Sequence, residues 1–546
     1  MLLSLYIDYQ LVLPIKKLEY NKDTNFILLP LHIIAKVVRG IMKKNLITSA
    51  LILIFAGLIT RVLGFVYRIY MSNIIGSLGM GLYQLVVPVY GLAWSLTCSG
   101  FTTTISKLTS SEKAKGEKGN IRRFLVQAIF ITGFLGIVIG SILYLFAGVI
   151  ANNIFNEPRI ELSLQILAFG IPFMAVGSCI RGYFYGLHDS MIPAISQVLE
   201  QIVRLFVVYV LANAFLHLGL EIAVAAAVTG IVTGEIISFI YVFLAYKDYN
   251  PKSDLTFSYS KKRSITTLVA MSVPLSLSRV TGSLLSTLEN ILIPRRLMVY
   301  GLTQAEALSE FGKLTGMAIP LIQLPSVVLV ALSISLVPAI SESLELKNYK
   351  KINYTVSKTM IFSMVIGIGA AGGFIVFANP LGELIYSQDI SFMLMYLGLL
   401  SPFLYANMLL TGVLNGLGQQ LFIFRNSLIS SLISICSIYF LVPIIGVYGF
   451  IFGWFLSMIS ICILNIMKIK STAQLKIEIN SWFLKPLLSV ISSMVILSFF
   501  KNWALSSFGM LSGTIVSIIV MGIIYFIFII LTGCLKIEDF KILKRA

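Results

Sequence analysis

The chain has 546 residues, of which 58% are hydrophobic and 12% charged, and its mean hydropathy is +0.93. Soluble domains carry about 25% charged residues, so this composition excludes a soluble protein and indicates one that crosses a membrane many times. The formal net charge of +18 does not indicate a nucleic-acid partner, because the basic residues fall between apolar spans.

Residues 1–41 mix charged residues with apolar fragments that are shorter than the roughly 20 residues a membrane helix needs. The stretch MKKNL at Met42 has the form of a second translation start, since two lysines directly precede a long apolar run. We therefore expect residues 1–41 to be an extension without a functional role.

Apolar segments of spanning length recur along the rest of the chain and predict an all-α membrane protein with about fourteen transmembrane helices. They divide into an amino-terminal six-helix lobe, a carboxy-terminal six-helix lobe, two further helices and a basic tail, over residues 42–250, 264–468, 483–535 and 536–546. The individual spans lie near 46–71, 80–106, 123–150, 161–186, 191–217, 221–246, 264–293, 314–341, 355–379, 391–417, 421–443, 446–467, 483–500 and 509–533.

Lysines and arginines concentrate in alternate connections between the predicted helices. These connections lie near 43–44, 107–123, 247–263, 347–351, 468–476 and 536–545. The positive-inside bias places all of them, and both chain termini, on the cytoplasmic side of the membrane.

The first predicted helix carries two arginines on one face, because Gly57, Arg61, Gly64 and Arg68 follow one another at three- and four-residue steps. An arginine at mid-bilayer costs about 2.5–3.5 kcal/mol, so such residues normally face a water-filled cavity or a partner. We predict that both bind substrate. Arg68 lies nearer the outer end of the helix, where snorkelling to the membrane surface is the alternative.

The fifth and sixth helices carry further charges. Glu200 and Arg204 are one helical turn apart and are predicted to bind substrate, although a pair that only neutralises itself for insertion is the alternative. Glu235 stands alone among glycines and threonines in VTGIVTGEIISF. It is a candidate site for a proton or a monovalent cation, or a carboxyl that is simply protonated against a neighbouring helix.

The seventh helix repeats the pattern of the first with Arg279, Gly282, Ser286 and Glu289 at three- and four-residue steps. We predict Arg279 and Glu289 as further substrate-binding residues. For Arg295 and Arg296 at the outer end, anchoring at the membrane interface is the alternative to a site role.

Two parts of the chain are internally similar. LAFGIPFMAVGSCIRGYFYGLHD at 167–189 aligns without a gap with LGLLSPFLYANMLLTGVLNGLGQ at 397–419, with an offset of 230 residues. RVLG in the first span also matches RVTG in the seventh. Because six helices separate the copies, both enter the membrane in the same direction, which predicts parallel repeats around a central site.

Cysteines and histidines give no sign of catalysis. Five cysteines and three histidines occur singly, without the spacing of a metal or redox site, and no phosphate loop or nucleophile motif is present. The sequence therefore predicts a protein that is not an enzyme and that needs no cofactor. Side-chain amides within membrane spans more often form hydrogen bonds between helices than bind a ligand. In this chain they are Gln84, Gln323, Asn407 and Asn415.

Three stretches and the helix count carry a resemblance to a known family: RVLGFVYRIYMSNIIGSLGMGLYQL, GIPFMAVGSCIRGYFYG and RVTGSLLSTLENILIPRRL. From about Met42 onward the chain resembles the stage V sporulation protein B-like branch of the multidrug, oligosaccharidyl-lipid and polysaccharide exporter superfamily. The resemblance implies two six-helix lobes that form a V around a central cavity. In the related lipid II flippase branch, two extra helices form a groove for the lipid tail, which here correspond to 483–535.

The same resemblance implies which arginine of the first helix corresponds to the arginine of the family motif. The flippase motif RVLGF maps its arginine onto Arg61, whereas its second arginine maps onto Tyr67, one position before Arg68. It further implies export of an undecaprenyl-pyrophosphate-linked saccharide, an anionic lipid-linked precursor of peptidoglycan, spore cortex or another polysaccharide. Membrane lipids and cell-wall synthesis enzymes are the other candidate partners.

Two rival functions remain open from the sequence. A cation-coupled multidrug exporter of the same superfamily would use Glu235 or Glu289 as its proton or sodium site. A membrane scaffold that recruits cell-wall enzymes would need large soluble loops, and no connection here is longer than about 20 residues.

Overall fold

The computed structural model describes residues 46–249, 261–473 and 475–534. The predicted extension at 1–41, the start at Met42 and the basic tail at 536–546 lie outside the described residues. Within them, thirteen helical segments are long and apolar enough to cross a membrane. The first of these, Ile52–Thr97, is 46 residues long, or about 69 Å, which is more than twice the thickness of a hydrocarbon core.

That first segment holds two crossings because the chain turns at Gly76, whose φ of 66° lies in the left-handed region that favours glycine. We name the two parts α1 (46–75) and α2 (77–97), and α2 continues through Ser99–Ala114. The later helices are α3 (Lys118–Leu145), α4 (Glu161–Gly186), α5 (Met191–Phe215), α6 (Leu220–Tyr249), α7 (Lys261–Val299), α8 (Gln304–Glu345), α9 (Tyr349–Tyr386), α10 (Ser391–Gly416), α11 (Gln420–Phe440) and α12 (Val447–Ala473).

The last helical stretch, Lys485–Leu531, also holds two helices, because Gly509 breaks it with a φ of 75°. We name the parts α13 (485–508) and α14 (510–531). The thirteen segments already count these two parts separately, so dividing the first segment at Gly76 gives the fourteen crossings predicted from hydropathy within the described residues. The predicted fold class, an all-α polytopic membrane protein, is therefore confirmed.

Helix packing repeats with a period of six helices. In the amino-terminal lobe α3 packs on α4, α5 on α6 and α2 on α4; in the carboxy-terminal lobe α9 packs on α10, α11 on α12 and α8 on α10. Two equivalent helix–helix contacts, one in each lobe, show this correspondence in atomic detail. A β-carbon built on Gly136 would lie 2.9 Å from Pro172, and one on Gly367 would lie 2.6 Å from Pro402.

The aligned glycines of the repeat have equivalent surroundings. A β-carbon on Gly182 would lie 2.5 Å from the carbonyl oxygen of Thr102, and one on Gly412 would lie 2.7 Å from that of Ser333. Small residues at these points let the helix backbones approach closely, as in other membrane bundles. The parallel repeat predicted from sequence is thus present in the packing.

The two lobes meet tightly at the end of the bundle where α1 turns into α2, which we call the Gly76 end. There α2 crosses α8: the hydroxyls of Ser77 and Ser309 lie 2.7 Å apart. A β-carbon on Gly81 would lie 2.1 Å from the carbonyl oxygen of Leu308, and one on Gly312 would lie 2.0 Å from that of Ser77. The backbones of α2 and α8 are therefore in direct contact.

A second contact between the lobes lies at the same end. Arg295 of α7 donates from Nη2 to the carbonyl oxygens of Asn153 and Ile154, at 3.1 and 2.6 Å. Gln304 donates to the carbonyl of Asn156 and to Glu157, at 2.8 and 2.9 Å. Residues of the carboxy-terminal lobe thus hold the α3–α4 connection of the amino-terminal lobe and close the Gly76 end.

Helices α13 and α14 form a hairpin that packs on α9. The hydroxyl of Tyr525 donates to the carbonyl of Val365 at 2.8 Å, and the ammonium of Lys501 donates to that of Val376 at 2.8 Å. The hairpin is therefore attached to the carboxy-terminal lobe. Its predicted role as a groove for a lipid tail stays a prediction.

Candidate substrate cavity

A cavity of about 820 Å³ lies between the two lobes. This volume is within the range of about 300–1,000 Å³ that is typical of small-molecule sites. The amino-terminal wall comes chiefly from α1, α2 and α5, and the carboxy-terminal wall comes from α8, α10, α11 and α12. The cavity thus occupies the position where the repeat predicted a central site.

Three of the predicted arginines line this cavity: Arg61 and Arg68 from α1, and Arg204 from α5. Arg61 is exposed in the cavity and Arg68 is half-buried. Across the residues that the structure describes, neither of these two guanidiniums has a hydrogen bond or an ion pair. Arg204 differs, because its Nη2 lies 2.8 Å from Oε1 of Glu200. The cavity therefore holds two uncompensated positive charges and one compensated charge.

Three tyrosines complete the amino-terminal wall. Tyr67, Tyr83 and Tyr90 line the cavity, and the rings of Tyr67 and Tyr83 lie 6.2 Å apart. Their rings and hydroxyls give this wall both apolar surface and hydrogen-bonding capacity. The sequence did not single them out, because tyrosine occurs 24 times in the chain and follows no pattern that marks these three.

Glu235 is buried behind this wall and has partners on two other helices. The hydroxyl of Tyr90 donates to Oε1 of Glu235, and Nη2 of Arg181 lies 3.7 Å from Oε2. Arg181 also donates to the hydroxyls of Ser178 and Ser238, each at 3.0 Å. The carboxyl that has no partner nearby in the sequence is therefore neutralised by Arg181 of α4, which the sequence analysis did not count among the intramembrane charges.

We expect Glu235→Ala to lower the free energy of unfolding in detergent by about 3–5 kcal/mol, because it leaves the buried guanidinium of Arg181 without its charge partner. The matched control is Glu342→Ala, which removes the exposed partner of Lys351 at 3.9 Å and should cost less than about 1 kcal/mol. Equal losses in the two variants, measured by thermal unfolding, would contradict the pairing.

The remaining predicted residues lie elsewhere. Arg279 donates to the carbonyl of Ser99 at 2.6 Å and to the hydroxyl of Thr103 at 3.1 Å, so it joins α7 to α2. Glu289 faces the hydroxyls of Ser431 and Ser434 on α11. Neither lines the 820 Å³ cavity. The structure therefore brings together Arg61, Arg68, Arg204 and Glu200, while substrate binding by Arg279 and Glu289 stays a prediction.

Comparisons with known proteins agree with this architecture. Residues 46–344 match the family model described as polysaccharide biosynthesis protein. The chain is 32% identical to stage V sporulation protein B of Bacillus subtilis (strain 168) over 462 residues, which cover 83% of this chain and 89% of that protein. It is 27% identical to the lipid II flippase MurJ of the same organism over 372 residues, which cover 64% of this chain and 67% of the flippase.

Solved structures show the same fold. The lipid II flippase MurJ in an inward closed conformation matches with a TM-score of 0.68 at 15% identity, over 87% of this chain and 97% of the flippase. An inward-facing multidrug resistance transporter of the MATE family matches with a TM-score of 0.60 at 15% identity, over 78% of this chain and 99% of the transporter.

Fold and cavity together define a many-helix membrane protein with the fold of the lipid II flippase MurJ and of a MATE-family transporter. The chain belongs to the polysaccharide biosynthesis protein family. The resemblance seen in the sequence is therefore confirmed.

Proposed function

We propose that this protein is a flippase that moves an undecaprenyl-pyrophosphate-linked saccharide to the outer leaflet by alternating access. The observation that carries the proposal is the pair of uncompensated guanidiniums, Arg61 and Arg68, in a cavity between two lobes. Guanidiniums bind phosphate oxygens with two parallel hydrogen bonds and stay charged when water is excluded. A diphosphate is the anion that such a pair suits.

The polar cavity would provide the headgroup with hydrogen bonds and charge partners while it crosses the membrane. A saccharide diphosphate cannot cross hydrocarbon unaided, because its hydrogen-bonding groups would lose their partners and its charge its solvation. In the proposed cycle, Arg61, Arg68 and the cavity amides replace water, while the prenyl tail stays in the lipid. The structure described is the state that is closed at the Gly76 end.

Orientation and location complete the proposal. The lysine-rich connections and both termini face the cytoplasm of a bacterial cell, so the Gly76 end faces outward. The relatives with named activities are flippases and transporters, which supports a transporter that is not an enzyme and needs no cofactor. An inside-negative potential of 100 mV favours outward movement by about 2.3 kcal/mol per negative charge.

A cation-coupled multidrug exporter is the competing function, and the MATE-like fold is compatible with it. It would need a carboxylate free to take a proton or a monovalent cation. Glu235 already contacts Arg181 and Tyr90, so a cation there would compete with a guanidinium. Glu289 lies away from the cavity that the arginines line. These placements favour the lipid-linked anion.

The test uses the full chain in lipid vesicles that contain an undecaprenyl-diphosphate disaccharide with a fluorophore on the sugar. A membrane-impermeant reductant bleaches only the outer leaflet, so flipping appears as continued loss of the protected signal. We expect protein-containing vesicles to lose this signal faster than empty ones. No acceleration, together with cation-dependent dye export that Glu235→Gln abolishes, would instead establish the drug exporter.

A further inference from the structure

The two walls of the cavity differ in charge. Among its lining residues, every charged side chain belongs to the amino-terminal lobe, whereas the carboxy-terminal wall offers neutral amides and hydroxyls. The polar residues on that wall are Gln323, Ser326, Asn407, Thr411, Asn426, Ser427 and Asn465. A headgroup with a charged part and an uncharged hydroxyl-rich part would match this division.

Three asparagines of the neutral wall form a chain of hydrogen bonds across three helices, which we call the ladder. Asn426 of α11 donates to Oδ1 of Asn465 on α12 at 2.9 Å, and Asn465 donates to Oδ1 of Asn407 on α10 at 3.3 Å. Asn407 donates in turn to the carbonyl of Met458 at 2.8 Å. In the first two links the Nδ2 of one asparagine donates to the Oδ1 of the next, and the third link ends on a backbone carbonyl.

The ladder ends with unused hydrogen-bonding capacity. Asn426 is only 3% exposed, and within the described part of the chain its Oδ1 accepts no hydrogen bond. The amide of Gln323 is exposed in the same cavity and has no partner among the described residues. The Oδ1 of Asn426 is not sealed from solvent. It is therefore an open acceptor, and a ligand hydroxyl or amide N–H that reaches it gains a hydrogen bond.

We propose that this carboxy-terminal wall is the saccharide subsite, in which Asn426 and Gln323 bind the uncharged sugar while Arg61 and Arg68 bind the diphosphate. The inference rests on the proposed function and deepens it, because it assigns two parts of one substrate to two lobes. Sites built to hydrogen-bond a hydroxyl or an N–H discriminate strongly against ligands that lack it. Specificity for the glycan therefore resides in the neutral wall.

The experiment compares two ligands for the full chain in detergent: undecaprenyl diphosphate, and the same lipid carrying one N-acetylated sugar. Affinities are measured for wild type, Asn426→Leu, Gln323→Leu and Arg61→Ala. We expect the two amide variants to weaken binding of the sugar-bearing ligand by about tenfold and to leave the bare diphosphate unchanged. Arg61→Ala should weaken both ligands.

Gln323→Leu guards against a folding defect, because this exposed side chain lies outside the ladder. The control is Gln165→Leu, which removes an amide of α4 that does not line the cavity and should change neither affinity. Equal weakening of both ligands by both amide variants, or weakening of neither, would overturn the subsite. Failure of the wild type to bind either ligand would refute the proposed function itself.

Discussion

Arg61→Ala and Arg68→Ala are each expected to slow transport of the lipid-linked saccharide by about 10- to 100-fold. Both guanidiniums line the cavity, and neither has a partner among the described residues. A hydrogen bond to a charged group contributes about 1.5–3 kcal/mol, and about 1.4 kcal/mol corresponds to a factor of ten. Lysine at either position should restore part of the rate, because it keeps the charge but loses the planar fork.

The control for this prediction is Arg122→Ala, which removes an exposed arginine of α3 that does not line the cavity. All variants are reconstituted at equal amounts after correct insertion has been checked. Transport at the wild-type rate by correctly inserted Arg61→Ala and Arg68→Ala proteins would remove the basis for the anion site.

Gly81→Ala and Gly312→Ala are expected to shift the protein toward a state that is open at the Gly76 end. Each added methyl group would lie about 2 Å from a carbonyl oxygen of the opposite lobe, at 2.1 Å for Gly81 and 2.0 Å for Gly312. Backbone cannot yield as a flexible side chain does, and overpacking costs about 1–3 kcal/mol. If the lobes separate here during transport, only the closed state is destabilised by the added methyl group. The ratio of open to closed protein then rises by about 5- to 100-fold.

A disulfide reporter measures this shift. Cysteines at Ser77 and Ser309, whose hydroxyls lie 2.7 Å apart, should cross-link readily in the closed protein, with the exposed Cys436 replaced beforehand. The cross-link should stop transport until a reductant is added. Gly373→Ala is the control, because its β-carbon would meet nothing within 4 Å. Unchanged cross-linking in Gly81→Ala and Gly312→Ala would show that α2 and α8 do not separate.

The sequence was sufficient to predict the features that depend on local periodicity. Hydropathy located fourteen crossings, and three- and four-residue steps placed Arg61 and Arg68 on one face. Hydropathy underestimated helix lengths, however, because it reports only the part of a helix that suits hydrocarbon. Helix α7, for example, has 39 residues, about 58 Å, and continues well past the membrane core.

Contacts between distant segments could not be predicted in the same way. Glu235 meets Tyr90 from 145 residues earlier in the chain, and no spacing rule relates two faces on different helices. Arg279 illustrates a further limit. The repeat aligns it with Arg61, yet α2 lies against α7 and supplies Ser99 and Thr103 as partners. A repeat predicts the position of a residue in its own lobe, not its neighbours in the other lobe.

The attachment of the α13–α14 hairpin has a mechanical consequence. Because the hairpin is tied to α9, we expect it to move with the carboxy-terminal lobe during alternating access, whereas Arg61 and Arg68 belong to the amino-terminal lobe. If a prenyl tail binds the hairpin and a diphosphate binds the arginines, the two parts of one substrate are bound by different lobes. A rocking motion of the lobes would then move the tail-binding surface away from the arginines. The same motion would both open the cavity and draw the headgroup out of it.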